Sequence, residues 1–171
     1  KLLQPEFIMS VGDLIQGYTE DLDEIRRQWI EFEDFVEGLG MPFFYLPGNH
    51  DITNQVMAAE WERRFGRSYY HFVYRNVLFL CLNSEDPPPT HISAAQIEYA
   101  SQVLDSNPDV RWTLVFLHKP LWVYEDETGW SRIEKMLEDR RHTVFAGHFH
   151  TYTKYERHGQ NYFILVTTGG G

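Results

Sequence analysis

Polar residues that can bind a metal ion or move a proton follow four apolar segments of this sequence. They are Asp13, the run Asn49-His50-Asp51, His118, and the pair His148 and His150. Glycine or proline stands close to each group, and these residues permit sharp turns and close approach of the backbone. A carboxylate, an amide oxygen and several imidazole nitrogens suit Zn, Mn or Fe better than metals that select thiolates.

Each group also has an ordinary structural explanation when it is taken alone. Asp13 could be a helix cap or a turn residue, His118 a satisfied core histidine, and residues 48–51 only a turn. His148 and His150 favour a site more strongly, because residues two apart in an extended segment point to the same side. Four such groups in one chain favour a shared metal site over four unrelated turns.

The strands that precede these groups must bring them together. Runs with buried-strand or β-rich composition cover residues 6–11, 41–46, 69–74, 77–82, 112–117, 143–146, 151–155 and 162–167. Hairpin turns are expected at Arg75-Asn76 and near His158-Gly159. If the strands that carry the polar groups lie side by side, those groups face one another at one edge of a sheet.

Helices are predicted between the strands. Apolar residues recur at three- and four-residue intervals from Leu22 to Val36, and a second helix covers about residues 54–65. Capping boxes predict two more helix starts, at Ser93 and at Ser131 with Glu134. The alternation predicts a layered α/β domain with one mixed sheet, and no repeat or linker marks a second domain.

Composition excludes several classes of protein. The chain has 171 residues, 43% hydrophobic content and a formal net charge of −10, and this charge argues against general binding to nucleic acid, which needs a basic face. No apolar run approaches the ~20 residues that span a bilayer. The single cysteine, Cys81, lies in an apolar run and is expected in the core. A cytoplasmic location is the expectation, although a targeting segment could precede Lys1.

The ordered motifs resemble those of a known family, the calcineurin-like metallophosphoesterases. They are Gly12-Asp13, Gly48-Asn49-His50-Asp51, His118 and Gly147-His148-Phe149-His150. The resemblance covers nearly the whole chain. It implies a layered α/β (α+β) sheet sandwich flanked by helices, with a dinuclear metal centre at the strand ends. It also implies hydrolysis of a phosphoester bond by a metal-activated water, as in a phosphatase or phosphodiesterase.

The resemblance also implies a set of metal ligands. Asp13 corresponds to the carboxylate that bridges two metals, and Asn49, His118 and His148 correspond to the other ligands of one metal. His150 corresponds to a ligand of the second metal. The implied cofactors are two divalent or trivalent ions, Mn, Fe or Zn.

The implied catalytic residues are His50 and Asp51. The resemblance assigns His50 to the substrate phosphate and the leaving group, and it assigns Asp51 to orienting and charging His50. A protonated histidine can neutralise developing charge and donate a proton to a leaving oxygen. We expect a small phosphorylated substrate rather than a nucleic acid, given the acidic balance of the chain.

One motif of the family is missing. The family begins with Asp-x-His on its first strand, whereas the earliest histidine here is His50. We therefore expect residues 1–171 to be one metallophosphoesterase domain that is incomplete at both ends, with a poorly held second metal. A second hypothesis is a non-catalytic or degenerate metal-binding or scaffold module on the same fold.

Overall fold

Helices and strands alternate through the part of the chain that the computed structural model describes, residues 5–125 and 127–167. The strands are β1 (Ile8–Met9), β2 (Phe43–Phe44), β3 (Tyr70–Tyr74), β4 (Val77–Cys81), β5 (Trp112–Phe116), β6 (His142–Ala146), β7 (Thr153–Arg157) and β8 (Gln160–Ile164). The α-helices are α1 (Leu22–Gly38), α2 (Gln55–Phe65), α3 (Ala94–Ser106) and α4 (Trp130–Leu137). The domain was predicted to be incomplete at both ends, but Lys1 and Gly171 lie outside the described residues.

The strands form two sheets, so the prediction of one mixed sheet is wrong. β1 and β2 pair in parallel as a small sheet, and the large sheet has the order β3-β4-β5-β6-β8-β7. Within the large sheet, β4, β5, β6 and β8 run parallel, while β3 and β7 are antiparallel edge strands. The sequence shows the strands but not their partners, because β1 and β2 pair only with each other among the described residues. The layered α/β fold class itself is confirmed.

Side-chain alternation along the strands separates the layers. In β4, Leu78 and Leu80 pack toward α3 and α4, whereas Phe79 and Cys81 pack toward the small sheet. In β2, Phe44 stacks on Phe72 of the large sheet, while Phe43 contacts Phe32 of α1, with ring centroids 5.7 Å apart. The order of layers is therefore α1 and α2, the small sheet, the large sheet, and α3 with α4. This arrangement is the predicted sheet sandwich flanked by helices.

A row of phenylalanine rings fills the space between the two sheets. Consecutive rings are nearly parallel, with centroids 4.3–6.1 Å apart, in the order Phe44, Phe72, Phe79, Phe116, Phe145, Phe163. The first ring belongs to the small sheet and the others to five neighbouring strands of the large sheet, counting Phe163 of β8. Large apolar surfaces of this kind dominate burial energy, so the row holds the two sheets together.

Three of the four helices begin where the sequence predicts, and one does not. Asp21, Asn54 and Ser93 accept hydrogen bonds from the first turns of α1, α2 and α3. The capping box predicted at Ser131 is wrong, since α4 begins at Trp130 after Gly129, which has a left-handed φ of 80°. Glu134 instead forms an ion pair with Arg157, at 2.6 Å.

The single cysteine is buried in the core. Cys81 is fully buried in the layer between the sheets, as expected, and burial raises the pKa of its thiol to about 12. Among the described residues, none of the helices has the length and apolar character needed to cross a membrane.

Candidate metal centre

Residues from both sheets meet beyond the carboxyl ends of their strands. Asp13 follows β1 and Asn49 follows β2, whereas His118 follows β5 and His148 follows β6. Strands β1 and β2 are parallel, as are β5 and β6, so each sheet delivers its side chains to one edge. Asp13, His118 and His148 form a group of potential ligands whose atoms lie within 4.8 Å of one another.

Two glycines allow the loops of the two sheets to approach this closely. Gly12 has a φ of +88°, and a Cβ there would lie 2.7 Å from both the Gly48 nitrogen and Nδ1 of His118. A Cβ on Gly48 would collide with the Asp13 carboxylate. Larger residues at either position would therefore separate Asp13 from His118.

Nε2 of His118 lies at the centre of the group. It is 3.1 Å from Oδ2 of Asp13, 3.0 Å from Oδ1 of Asn49 and 3.2 Å from Nδ1 of His148. Nδ1 of His118 lies 2.7 Å from the Val11 carbonyl, which can only accept, so this nitrogen carries a proton, and in the neutral ring Nε2 has the lone pair. One proton on Nε2 could bridge to only one of these neighbours at a time. A bound cation could be coordinated by all four atoms, so the residues present fit a metal.

Tyr18 holds the outer end of the Asn49 amide. Nδ2 of Asn49 donates to the Tyr18 hydroxyl over 2.7 Å, while Oδ1 faces His118. The Tyr18 ring also meets the His50 ring edge-on, with centroids 4.6 Å apart. Sequence reasoning did not select Tyr18. The available signal was an aromatic residue directly after a glycine, in the polar loop that begins at Asp13.

His50 lies beside the group rather than inside it. Its backbone N–H donates to Oδ1 of Asp13 over 3.0 Å, and its Nε2 is 4.0 Å from Oδ2 of Asp13. Its Nδ1 is 2.7 Å from the Gln16 carbonyl, so this nitrogen is the donor and the ring is fixed with Nε2 toward Asp13.

Asp51 does not orient the His50 ring, which corrects the prediction made for it. The Asp51 carboxylate is fully buried and accepts hydrogen bonds from the backbone N–H groups of Asp13, Leu14, Ile15 and Gly48, at 2.8–3.1 Å. The Gln16 carbonyl is the group that orients His50. Asp51 therefore ties the loop after β1 to the loop after β2.

His150 is not part of the group, and the geometry assumed for it is wrong. Residues 148–151 form a bend rather than an extended segment, with left-handed φ values of 72° at His148 and 54° at His150. The two side chains therefore lack the same-side geometry of a strand. His148 reaches the other ligands, whereas His150 is exposed and lies outside the ligand group found among the described residues.

The comparison with known families gives a match over most of the chain. A sequence model of the calcineurin-like phosphoesterase family matches residues 1–152. The chain belongs to that family. The resemblance seen in the motifs is thereby confirmed.

Curated relatives of this calcineurin-like phosphoesterase have enzyme names. The human serine/threonine-protein phosphatase CPPED1 is 28% identical over 177 residues, covering 86% of this chain and 54% of that protein. The 3',5'-cyclic adenosine monophosphate phosphodiesterase CpdA of Haemophilus influenzae is 25% identical over 118 residues, covering 68% of this chain and 40% of that protein. The chain therefore spans about half the length of the CPPED1 proteins it matches.

Solved structures share the fold. A dimetal phosphatase from Danio rerio has a TM-score of 0.68 at 14% identity, covering 94% of this chain and 72% of its own. A purple acid phosphatase from yellow lupin has a TM-score of 0.67 at 15% identity, covering 93% of this chain and 36% of its own.

Burial and mutual charge shift the pKa values in this calcineurin-like phosphoesterase. Burial acts to raise the pKa of Asp13, but the hydrogen bond and charge of His118 bring it below its usual value. Burial likewise opposes protonation of His118, yet Asp13 raises the pKa of that imidazole above normal. Burial, followed by the nearby His118 and Lys119, lowers the pKa of His148 to about 4. His148 is therefore neutral at pH 7 and available as a ligand.

Burial also raises the pKa of the Asp51 carboxyl to about 6, against the opposing effect of its N–H donors. At pH 7 and above, Asp51 is mainly ionised and can accept all four hydrogen bonds.

Proposed function

We propose that residues 1–171 form one metallophosphoesterase domain that hydrolyses phosphoester bonds with bound metal ions. The observation that carries this proposal is the convergence of Asp13, Asn49 and His148 on Nε2 of His118, at 3.0–3.2 Å. Family membership and the enzyme names of the CPPED1 and CpdA relatives support the same reaction class.

Four residues of the chain would hold the first metal. Asp13 supplies the anionic oxygen, Asn49 an amide oxygen, and His118 and His148 imidazole nitrogens, a set that suits Mn, Fe or Zn. Bound metal ions supply Lewis acidity toward phosphoryl oxygens and a nucleophile that is active near neutral pH. A second metal, with His150 among its ligands, remains part of the proposal and needs a different position of the His150 side chain.

The charges of these residues favour a phosphorylated substrate. Asp13 is one anionic ligand among neutral ones, so a divalent ion leaves the site with net positive charge. The excess of acidic residues elsewhere gives the chain a net charge of −10, which disfavours a long polyanion. We therefore propose a small phosphoester substrate.

His50 is placed to handle the proton of the leaving group. Its Nδ1–H stays bonded to the Gln16 carbonyl, so the proton that is gained and lost must sit on Nε2. Nε2 faces Asp13 at 4.0 Å, beside the ligand group. In its imidazolium form His50 can bind a phosphate oxygen and donate the Nε2 proton to the departing oxygen.

Hydrolysis of p-nitrophenyl phosphate and bis(p-nitrophenyl) phosphate by the full-length protein with added Mn²⁺ tests the proposal. Asn49→Ala should reduce turnover by about 100-fold or more and weaken Mn²⁺ binding, because it removes one ligand oxygen. Asn161→Ala in β8 is the matched control and should retain normal turnover.

Normal turnover by Asn49→Ala, with a melting temperature equal to that of the wild type, would refute the assignment. Mn²⁺ binding without turnover of either substrate by the wild type would favour the non-catalytic module.

A further inference from the structure

The conformation of Tyr18 is not explained by burial. Gly17 and Tyr18 are consecutive left-handed residues, with φ of 63° and 53°. The second is a conformation that bulky L residues adopt only with strain. Tyr18 is 57% exposed and belongs to none of the buried apolar clusters of the described residues. Strain without compensating burial points to a role for the contacts that the side chain makes.

The loop around Tyr18 is fixed on both sides. The Gly17 N–H donates to Oε1 of Gln28 in α1 over 2.9 Å, and the Thr19 carbonyl accepts from Nδ2 of Asn54, the N-cap of α2, over 2.9 Å. A Cβ at Gly17 would collide with the His50 carbonyl. The Tyr18 ring is therefore presented at a set position against the loop that carries Asn49 and His50.

From this position Tyr18 contacts two residues of the candidate site, Asn49 and His50. Its hydroxyl accepts from Nδ2 of Asn49 over 2.7 Å, and its ring meets the His50 ring at 4.6 Å with an interplanar angle of 83°. The hydroxyl contact fixes one end of the amide, so the other end, Oδ1, stays 3.0 Å from Nε2 of His118.

Resting on the proposed metal-dependent function, we propose that Tyr18 is a positioning residue for the metal ligand Asn49. The terminal torsion of an asparagine is broad and roughly two-fold, so a free amide can present either its oxygen or its NH₂ group. Only the oxygen can bind a metal. A phenol hydroxyl against Nδ2 restrains the amide plane and keeps Oδ1 directed to the metal site.

A double-mutant cycle on the full-length protein tests this role through Mn²⁺ affinity, measured by calorimetric titration. Tyr18→Phe keeps the ring and removes the hydroxyl, and we expect about tenfold weaker Mn²⁺ binding, as is typical for loss of a partner that orients a ligand. In an Asn49→Asp background the same change should alter affinity twofold or less, because a carboxylate presents an oxygen after either rotation. Tyr74→Phe in β3 is the matched control and should bind Mn²⁺ normally.

Two results would overturn the proposal. One is unchanged Mn²⁺ affinity in Tyr18→Phe. The other is an equal loss in the Asn49 and Asn49→Asp backgrounds, which would show that the hydroxyl does not act through amide orientation. The melting temperature of the metal-free Tyr18→Phe protein should match that of the wild type, since Tyr18 and its hydrogen bond to Asn49 are exposed.

A metal-free measurement separates this proposal from the proposed function. The side-chain amide protons of Asn49, observed by ¹⁵N NMR, should shift and exchange faster with water in Tyr18→Phe than in the wild type. Unchanged amide signals would overturn the Tyr18 proposal even if Mn²⁺ binds. Absence of Mn²⁺ binding by the wild type would instead refute the metal-dependent function, and the NMR result would then decide the Tyr18–Asn49 contact alone.

Discussion

Replacing Asp51 by asparagine should destabilise the protein without involving His50. The carboxylate accepts four backbone N–H groups, two at each oxygen: Leu14 and Ile15 at Oδ1, and Asp13 and Gly48 at Oδ2. An asparagine oxygen can keep one pair of these bonds. Its NH₂ group would then face the other two N–H donors, which would be buried without an acceptor.

The expected loss follows from those two orphaned donors. Leaving a buried donor unsatisfied costs roughly 1–3 kcal/mol, so the two donors together cost about 2–6 kcal/mol in Asp51→Asn. Because burial raises the pKa of Asp51 to about 6, removing the buried charge offsets part of this cost, and the net loss in the free energy of unfolding should be about 1–3 kcal/mol. Urea unfolding of the full-length protein in the presence of a chelator measures this quantity. Asp109→Asn is the matched control, since Asp109 is exposed, and its effect should stay within about 0.5 kcal/mol.

A cycle with His50→Ala distinguishes the two roles considered for Asp51. If Asp51 acts through the backbone, Asp51→Asn destabilises the protein equally with or without the His50 ring. A loss of turnover in Asp51→Asn that vanishes in the His50→Ala background, together with unchanged unfolding free energy, would contradict this reasoning and restore the catalytic role.

Three further perturbations have outcomes that follow from the structure. The Arg63 and Arg64 guanidinium groups bond to the buried Glu60 carboxylate and lower its pKa to about 2. The ionised carboxylate therefore contributes its full stabilisation of the fold above the unfolded pKa of 4.5, and this contribution is lost as the pH falls toward 2. Glu60→Gln should therefore lower the free energy of unfolding by about 2–3 kcal/mol at pH 7 and by much less at pH 2. Denaturant unfolding at both pH values measures the difference. Gly12→Ala should abolish Mn²⁺ binding, because its Cβ would lie 2.7 Å from the Gly48 nitrogen. The matched control is Gly40→Ala, which also has a positive φ but has open space around it and should bind Mn²⁺ normally. Equal binding by both variants would be inconsistent with the proposed crowding at Gly12. Removing Mn²⁺ from a sample held at 100 times its dissociation constant should lower stability by about 2.7 kcal/mol, and a melting temperature insensitive to chelator would argue against metal binding by the folded state.

The sequence predicted the elements well where hydrophobic periodicity decides them. The three- and four-residue spacing that includes Ile25 and Trp29 predicts α1, and both residues are fully buried. Alternation in β4 places Leu80 on one face and Phe79 on the other. Pairing was less accessible, because nothing in a two-residue strand such as β1 specifies which neighbour it joins.

The candidate site was predicted in its ligands but not in its supporting contacts. Asp13, Asn49, His118 and His148 could be found because each follows a strand near glycine or proline. The partners of Asp51 could not, because three of them are backbone N–H groups 36 to 38 positions away in the chain.

The arrangement of the two histidines after β6 was equally hidden. It depends on left-handed backbone at His148 and His150, which the spacing of side chains does not reveal.

The row of phenylalanine rings between the sheets links mutations far from the site to its affinity for metal. Two of the proposed metal ligands follow strands of the small sheet and two follow strands of the large sheet. A bound ion would therefore cross-link the two sheets that pack on either side of the rings. Loss of one ring, for example at Phe72, would change the spacing between the layers and hence the fit of the ion. Variants far from the site should then first appear as metal-affinity defects, and excess metal in the medium should rescue them.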